Sequence, residues 1–309
     1  MKVAVTGAFG YSGRYIAQRL LEAGHEVIAL TNSFNRASPF GDKVRAFPFH
    51  FDQPSRLMGS LMGVDALVNT YWVRFNHRRF THAQAVENTK TLFKGAKEAG
   101  VRRIVHVSIT NPDIHSDLTY FHGKAEVELA LQGLGVSHCI LRPAVLFGKE
   151  DILINNIAWA LRHMPVFGVF GSGEYKLQPI YVDDLAGVAA AAINGQKDEV
   201  INAIGPETFS YRELVGLIQR ELGVKRRIVS LPPSLGYLAS RCFGMLVGDV
   251  IITRDEIRGL LENRLWVDSP PVGTTRLSEW IKEHRATLGL KYTSEMARRV
   301  DRDSAYRSN

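Results

Sequence analysis

Met1-Lys2-Val3-Ala4-Val5-Thr6-Gly7-Ala8-Phe9-Gly10-Tyr11-Ser12-Gly13 decides the fold of this chain. Residues 1–5 read as a short buried strand, residues 6–13 as a glycine-rich turn, and an amphipathic helix is expected from Arg14. A glycine pattern alone is weak evidence, but between a strand and a helix it marks a dinucleotide pocket. Glycine permits the tight turn and close backbone approach, while the free N–H groups and dipole of the helix face a pyrophosphate. Thr6, Gly7, Phe9, Gly10, Tyr11, Ser12, Gly13 and Arg14 are therefore the expected cofactor contacts.

Outward from this turn, strand and helix patterns alternate. Residues 27–30, 44–49, 66–68, 104–107 and 139–141 read as strands, with long helices over 79–99 and 118–134. That rhythm is the signature of an α/β fold, a Rossmann doubly wound parallel sheet with helices on both faces. After Gly148 the rhythm changes. Residues 151–161 read as a helix, 167–173 as a glycine-rich stretch, 200–204 as a return to the sheet and 211–288 as mainly helical. At 309 residues the chain slightly exceeds one ordinary core. A dinucleotide-binding domain is expected over 1–148 and 179–204, and a smaller, mainly helical substrate or interaction lobe over 149–178 and 205–290. A loosely held charged tail is expected over 291–309.

The composition, 45% hydrophobic and 22% charged, is that of an ordinary globular protein. A formal charge of +7 favours anionic small molecules or weak attraction to acidic surfaces, and without a base-reading module it does not imply nucleic acid. Cys139 and Cys242 have no metal-like spacing and suit a reducing, cytoplasmic setting, and Cys139 reads as an inert core residue. The first strand starts at Lys2, so no signal peptide is expected ahead of it. The most apolar stretch, 235–252, is interrupted by Arg241 and Asp249, which excludes a spanning helix. It reads as a helix packed in the small lobe, with weak membrane-surface association as the alternative.

The end of the second strand selects the cofactor. An acidic residue there holds the ribose hydroxyls of NAD. This chain instead has Thr31-Asn32-Ser33-Phe34-Asn35-Arg36. Asn32, Ser33 and Arg36 can donate to a 2′-phosphate, with Arg14 as a second cation, so NADP is favoured over NAD. Asp52 is placed for an adenine amino group, or is a plain turn former.

Tyr120-Phe121-His122-Gly123-Lys124 puts a tyrosine and a lysine one helical turn apart, and Ser108 closes the fifth strand. Lowering a tyrosine from ~10 to about 7 takes roughly 4 kcal/mol. One cation at ~4 Å supplies roughly that much at an effective dielectric near 20. Tyr120 is then an acid or base for a carbonyl or alcohol, Lys124 lowers its pKa, and Ser108 or Thr110 bonds the substrate oxygen. The competing reading is a helix-start tyrosine packed near an exposed lysine.

With these residues the chain resembles the short-chain dehydrogenase/reductase superfamily. Within it, the chain is most similar to the atypical, NmrA-like, complex-I-accessory-subunit-like branch of epimerase/dehydratase type. Leu141-Arg142-Pro143-Ala144-Val145-Leu146-Phe147-Gly148 is similar to the family's Arg-Pro segment, which implies that Pro143 lies by the nicotinamide. Gln178-Pro179-Ile180-Tyr181-Val182-Asp183-Asp184 resembles the stretch that returns to the core domain. The resemblance covers roughly residues 1–290 and implies an NAD(P)-dependent oxidoreductase, an epimerase or dehydratase being a variant. It also implies an alternative, because many atypical members are non-catalytic scaffolds or redox sensors of larger, membrane-associated assemblies. Resembling proteins pair the two long helices between subunits, which makes a homodimer an expectation.

Asn69-Thr70-Tyr71-Trp72-Val73-Arg74-Phe75-Asn76-His77-Arg78-Arg79-Phe80 follows the fourth strand, and such loops face the ligand crevice. Asn69 and Thr70 are expected at the cofactor. Tyr71 and Trp72 can flank an aromatic substrate, and Arg74, His77 and Arg78 can attract an anionic one. A basic solvated loop is the equal alternative. His122 is expected to line the pocket, His106 to be a satisfied core histidine, and Asp183 and Asp184 to cap a helix.

Overall fold

The computed structural model describes residues 1–32, 38–76 and 80–300. The chain begins β1 (Lys2–Thr6), α1 (Tyr11–Glu22), β2 (Glu26–Leu30), β3 (Val44–Phe47), α2 (Pro54–Leu61), β4 (Ala66–Asn69) and α3 (His82–Glu98). It continues β5 (Arg103–Val107), α4 (Thr119–Gln132), β6 (Ser137–Leu141), β7 (Val145–Phe147), α5 (Leu153–His163) and β8 (Val166–Phe170). Next come β9 (Lys176–Leu177), β10 (Pro179–Tyr181), α6 (Val182–Ala192), β11 (Glu199–Ile201), β12 (Phe209–Ser210) and α7 (Tyr211–Glu221). The last elements are β13 (Arg227–Leu231), α8 (Pro233–Val247), α9 (Arg254–Leu261), α10 (Leu277–His284) and α11 (Glu295–Val300).

Two compact units result, one from Met1–Pro143 with Val182–Ala203, the other from Ala144–Tyr181 with the chain from Ile204 onward. The first holds a seven-stranded sheet in the order β11-β6-β5-β4-β1-β2-β3, and its neighbouring strands all run parallel. Parallel strands covered by helices are buried on both faces, which is why β1 and β4 read as unbroken apolar runs. The strand order reverses between β1 and β4, so the crevice of a doubly wound sheet lies at the carboxyl ends of those strands. Helix α1 buries Gly13, Ile16, Ala17 and Leu20, one face at helical spacing. It starts at Tyr11 rather than at the expected Arg14, because Gly10 takes the extended cap conformation. Helix α6 packs beside α1, and Asp183 accepts from Arg19 Nε at 2.8 Å across them, so this carboxylate ties two helices.

Within the same unit Glu128 is buried on α4, and the Arg142 guanidinium donates to both of its oxygens. Removing one partner of a buried ion pair strands the other charge. Arg142→Met is therefore expected to cost about 3 kcal/mol, read as a lower urea midpoint with unchanged slope. An unchanged midpoint would show that Glu128 finds another partner.

The second unit is less helical than its sequence suggests. Strand β13 lies inside the stretch expected to be helical and pairs in parallel with β8, while β7 pairs with β10 and β12 with β9. Helices α7 and α9 open with complete capping boxes, Ser210 with Glu213 and Thr253 with Glu256. The chain after Lys291 is anchored at first, unlike the loose tail expected. Asp249 accepts from the Tyr292 hydroxyl at 2.7 Å and from the Glu295 and Met296 N–H groups at 3.0 Å, which caps α11.

Candidate functional site

The turn after β1 closes on itself. The Gly10 N–H donates to the Gly7 carbonyl at 2.7 Å, and Gly7 has a φ of +64°, the left-handed region that glycine enters without strain. A Cβ on Gly13 would stand 2.2 Å from the Gly7 carbonyl oxygen, so only glycine lets the first turn of α1 approach the loop. No side chain caps α1 and no acidic residue lies in its first turn, which leaves the N-terminal amides and the positive end of the dipole to an anion. Phe9 and Gly13 are buried, while Gly7, Gly10, Tyr11, Ser12 and Arg14 are partly exposed.

Thr6, Asn69 and Thr70 are joined in one hydrogen-bonded cluster. The Thr6 hydroxyl donates to Asn69 Oδ1 at 2.9 Å and accepts from the Thr70 N–H at 2.7 Å, and the Thr70 hydroxyl donates to the Thr6 carbonyl at 2.6 Å. These bonds lock the carboxyl ends of β1 and β4 together beneath the glycine turn. Thr31 is buried too, its N–H on the Phe47 carbonyl at 2.9 Å.

Beyond β2 and β3 lies a cavity of about 440 Å³ lined by Asn32, Pro48, His50, Phe51, Asp52, Gln84 and Asn88. It brings Asn32 and Asp52 together, and both were expected at the adenosine end of a cofactor. Asn32 also accepts from the Phe49 N–H at 3.0 Å, so its carbonyl is used in the loop and its amide N–H₂ remains for a ligand. Ser33, Arg36, His77 and Arg78, also expected at the site, lie outside the described residues.

At the end of β5, Ser108 is buried and its hydroxyl has no hydrogen-bond partner. Lys124, on the buried face of α4, donates from Nζ to the carbonyl of Val107, the residue just before Ser108, at 2.9 Å. The ammonium stands 4.4 Å from the centre of the Trp72 ring, and burial lowers its pKa to about 7 despite the opposing charge of Glu128. Lys124 is therefore a buried lysine bound to a carbonyl and an indole, not the exposed one of the competing reading. Tyr120 stands edge-on to the same indole at 5.8 Å. Trp72 thus contacts both residues of the Tyr-x-x-x-Lys motif.

One histidine escaped the sequence reading. His82, buried at the start of α3, stacks on Trp72 at 5.9 Å and meets the Tyr120 ring edge-on at 5.5 Å. No local pattern joins residues so far apart. His106 accepts at Nδ1 from Asn69 Nδ2 at 3.0 Å, since Asn69 Oδ1 already accepts from Thr6 and Tyr71. Its Nε2 has no hydrogen-bond partner, so this core histidine is only half satisfied. Burial, then the Lys124 charge, lowers its pKa well below the ordinary value and keeps the ring neutral.

The expected substrate residues are placed unevenly. Tyr71 packs with Phe49, Phe51 and Phe80, and its hydroxyl accepts from Asn88 Nδ2 at 2.7 Å. Burial pushes its pKa up to about 12. The Arg74 guanidinium lies over the Phe75 ring, 5.7 Å from its centre. Thr110 is fully buried with its N–H on the Pro143 carbonyl at 3.0 Å. His122 is 43% exposed and faces Glu126 at 3.9 Å, on the outer side of α4 rather than in the pocket.

The depressed Lys124 pKa has a consequence for stability. Between about 7 and the ordinary 10.5 the unfolded chain binds a proton that the folded chain does not. Stability must then rise with pH across that window, and the penalty is complete below it. Lys124→Met removes the penalty. Its stability gain over the parent is expected to be greatest near pH 7, a few kcal/mol with about 5 as the ceiling, and to vanish towards pH 10. Urea unfolding at a series of pH values measures this difference, and parallel curves for the two proteins would refute it.

The profile of the NAD dependent epimerase/dehydratase family matches residues 3–204. The mitochondrial NADH dehydrogenase (ubiquinone) 1 alpha subcomplex subunit 9 of Arabidopsis thaliana is 26% identical over 239 residues, 74% of this chain and 60% of that protein. This chain thus spans about three fifths of that relative's length. The photosystem II assembly factor Ycf39 of Guillardia theta is 26% identical over 240 residues, 76% of this chain and 74% of that protein. Among solved structures, the Citrobacter sp. triphenylmethane reductase complexed with NADP(H) superposes with a TM-score of 0.75 at 19% identity, covering 92% of this chain and 99% of the reductase. At that identity the likeness is one of fold.

Proposed function

The chain belongs to the NAD dependent epimerase/dehydratase family, and from that premise we propose that it is an NADP(H)-dependent oxidoreductase. It reduces a small carbonyl compound, anionic or aromatic, or oxidises the matching alcohol, with Tyr120 as proton donor and acceptor. The residues fit a dinucleotide: Gly13 lets the first turn of α1 close against the Gly7 carbonyl, and the uncapped α1 amides suit a pyrophosphate. A bound nicotinamide supplies or accepts the hydride. Asn32 and Asp52 hold the adenosine end, and the absence of a carboxylate at Thr31 and Asn32 favours the 2′-phosphate.

The observation that carries the reading is the Ser108 hydroxyl, buried without a partner next to the carbonyl that binds Lys124. A buried hydroxyl left unpaired costs about 1–3 kcal/mol, a cost offset when a substrate oxygen accepts from it. When protonated, below about pH 7, Lys124 places positive charge one helical turn from Tyr120, and Tyr120 passes its proton to the oxygen that Ser108 holds. Purified protein mixed with NADPH and a panel of quinones, aldehydes and ketones is expected to consume NADPH only when a carbonyl compound is added.

A second reading, a dinucleotide-binding scaffold, is favoured by the Trp72 indole. It covers the Lys124 ammonium and abuts Tyr120, so aromatic packing takes up both groups. The relatives named as a respiratory subunit and an assembly factor point the same way. NADPH bound without turnover across the panel would select this reading.

A further inference from the structure

Helix α8 carries an apolar face that nothing in its own unit covers. Leu235, Leu238, Met245 and Leu246 are 57, 59, 72 and 85% exposed. At roughly 100° per residue these positions, with the exposed Cys242 among them, fall within an arc of about 100°. The opposite side is tied to the protein, with Gly236 against the Phe170 ring and Gly244 against the Asp249 carbonyl. One edge of the stripe is basic. Arg241 lies one turn beyond Tyr237, and Arg254 places its guanidinium 4.9 Å over that tyrosine ring. Neither arginine has a carboxylate partner among the described residues, and α8 contains no acidic side chain.

We propose that α8 docks on an anionic lipid surface, its stripe entering the headgroup layer while Arg241 and Arg254 meet lipid phosphates. Apolar side chains edged by cations are the chemistry of a helix lying in the interface plane. The charge pattern disfavours a second copy, which would bring the same unpaired arginines face to face. Four side chains also offer a few hundred Å², short of the ~800 Å² per partner of a stable interface. The helix cannot span the bilayer. Its 15 residues reach about 22 Å against a hydrocarbon core of ~30 Å, and no helix of the described residues is long and apolar enough to cross.

Co-sedimentation of the full chain with vesicles tests this. The protein is expected to pellet with phosphatidylglycerol–phosphatidylcholine vesicles, to stay in the supernatant with phosphatidylcholine alone, and to be released by salt. Met245→Glu with Leu246→Glu should weaken binding more than about tenfold with an unchanged thermal midpoint, since both side chains are already exposed. Arg241→Gln and Arg254→Gln should each weaken it about fivefold. A polarity-sensitive fluorophore on Cys242, the exposed one of the two cysteines, should shift to the blue on the anionic vesicles. Protein that stays in the supernatant with anionic vesicles at low salt would overturn the proposal, as would equal pelleting on both vesicle types. So would a glutamate double variant that pellets like the parent, or one that turns a dimer into a monomer without affecting lipid binding.

Discussion

Tyr120→Phe is expected to lower kcat about a thousandfold while leaving NADPH affinity within roughly twofold. The substitution removes one oxygen and keeps the ring, whose neighbours are Trp72 at 5.8 Å, His82 at 5.5 Å and Phe121 at 5.6 Å. Packing and coenzyme binding should therefore survive, and the proton transfer alone should fail. Lys124→Met should also lower kcat, because it removes the positive charge one turn away. The two effects should not add, since both groups act on the same proton. Steady-state kinetics on any carbonyl compound the protein accepts, with coenzyme affinity measured separately, decide the matter. A Tyr120→Phe protein with undiminished kcat would remove Tyr120 from the chemistry.

The second large effect belongs to the glycine turn. Gly13→Ala would bring a methyl group 2.2 Å from the Gly7 oxygen and 2.6 Å from its carbonyl carbon. Both obstacles are backbone, so the loop itself must move. A destabilisation of about 3 kcal/mol is expected, with loss of dinucleotide binding because the amides of α1 move with the loop. Gly10→Ala, whose nearest contact would be 3.0 Å away, should do less. Gly59→Ala is the control. It lies within α2 with nothing within 4 Å, and should gain about 1 kcal/mol from helix propensity without touching binding. Chemical unfolding and NADPH titration of the three variants measure both quantities. A Gly13→Ala protein that binds like the parent would show that the turn is not the pyrophosphate cradle.

The parallel sheet was legible because its strands are continuous apolar runs separated by helical periodicity, and the β1–α1 turn because glycine has few other uses at that spacing. Helix α2 was missed although Pro54 at its first turn is a start signal. The β-branched residues of β13 were hidden within a long stretch read as helical. Its partner, β8, lies some sixty residues earlier, and such pairing leaves no local trace. The site divides in the same way. The i, i+4 spacing of Tyr120 and Lys124 is a local fact about one helix. The Trp72 indole over Lys124, and His82 stacked on that indole, depend on the path of the chain after β4. Asn69 and Thr70 sit at the end of β4 as expected, and their bonds to Thr6, with those of Asn69 to Tyr71 and His106, follow because buried strand ends must satisfy their own hydrogen bonds.

Native mass spectrometry of the purified chain mixed with NADPH or NADH tests the central claim most directly. One nicotinamide dinucleotide per chain is expected, NADPH in preference to NADH, with no adduct on Gly13→Ala. A parent chain that carries neither coenzyme, while the same preparation is shown to be folded, would contradict it.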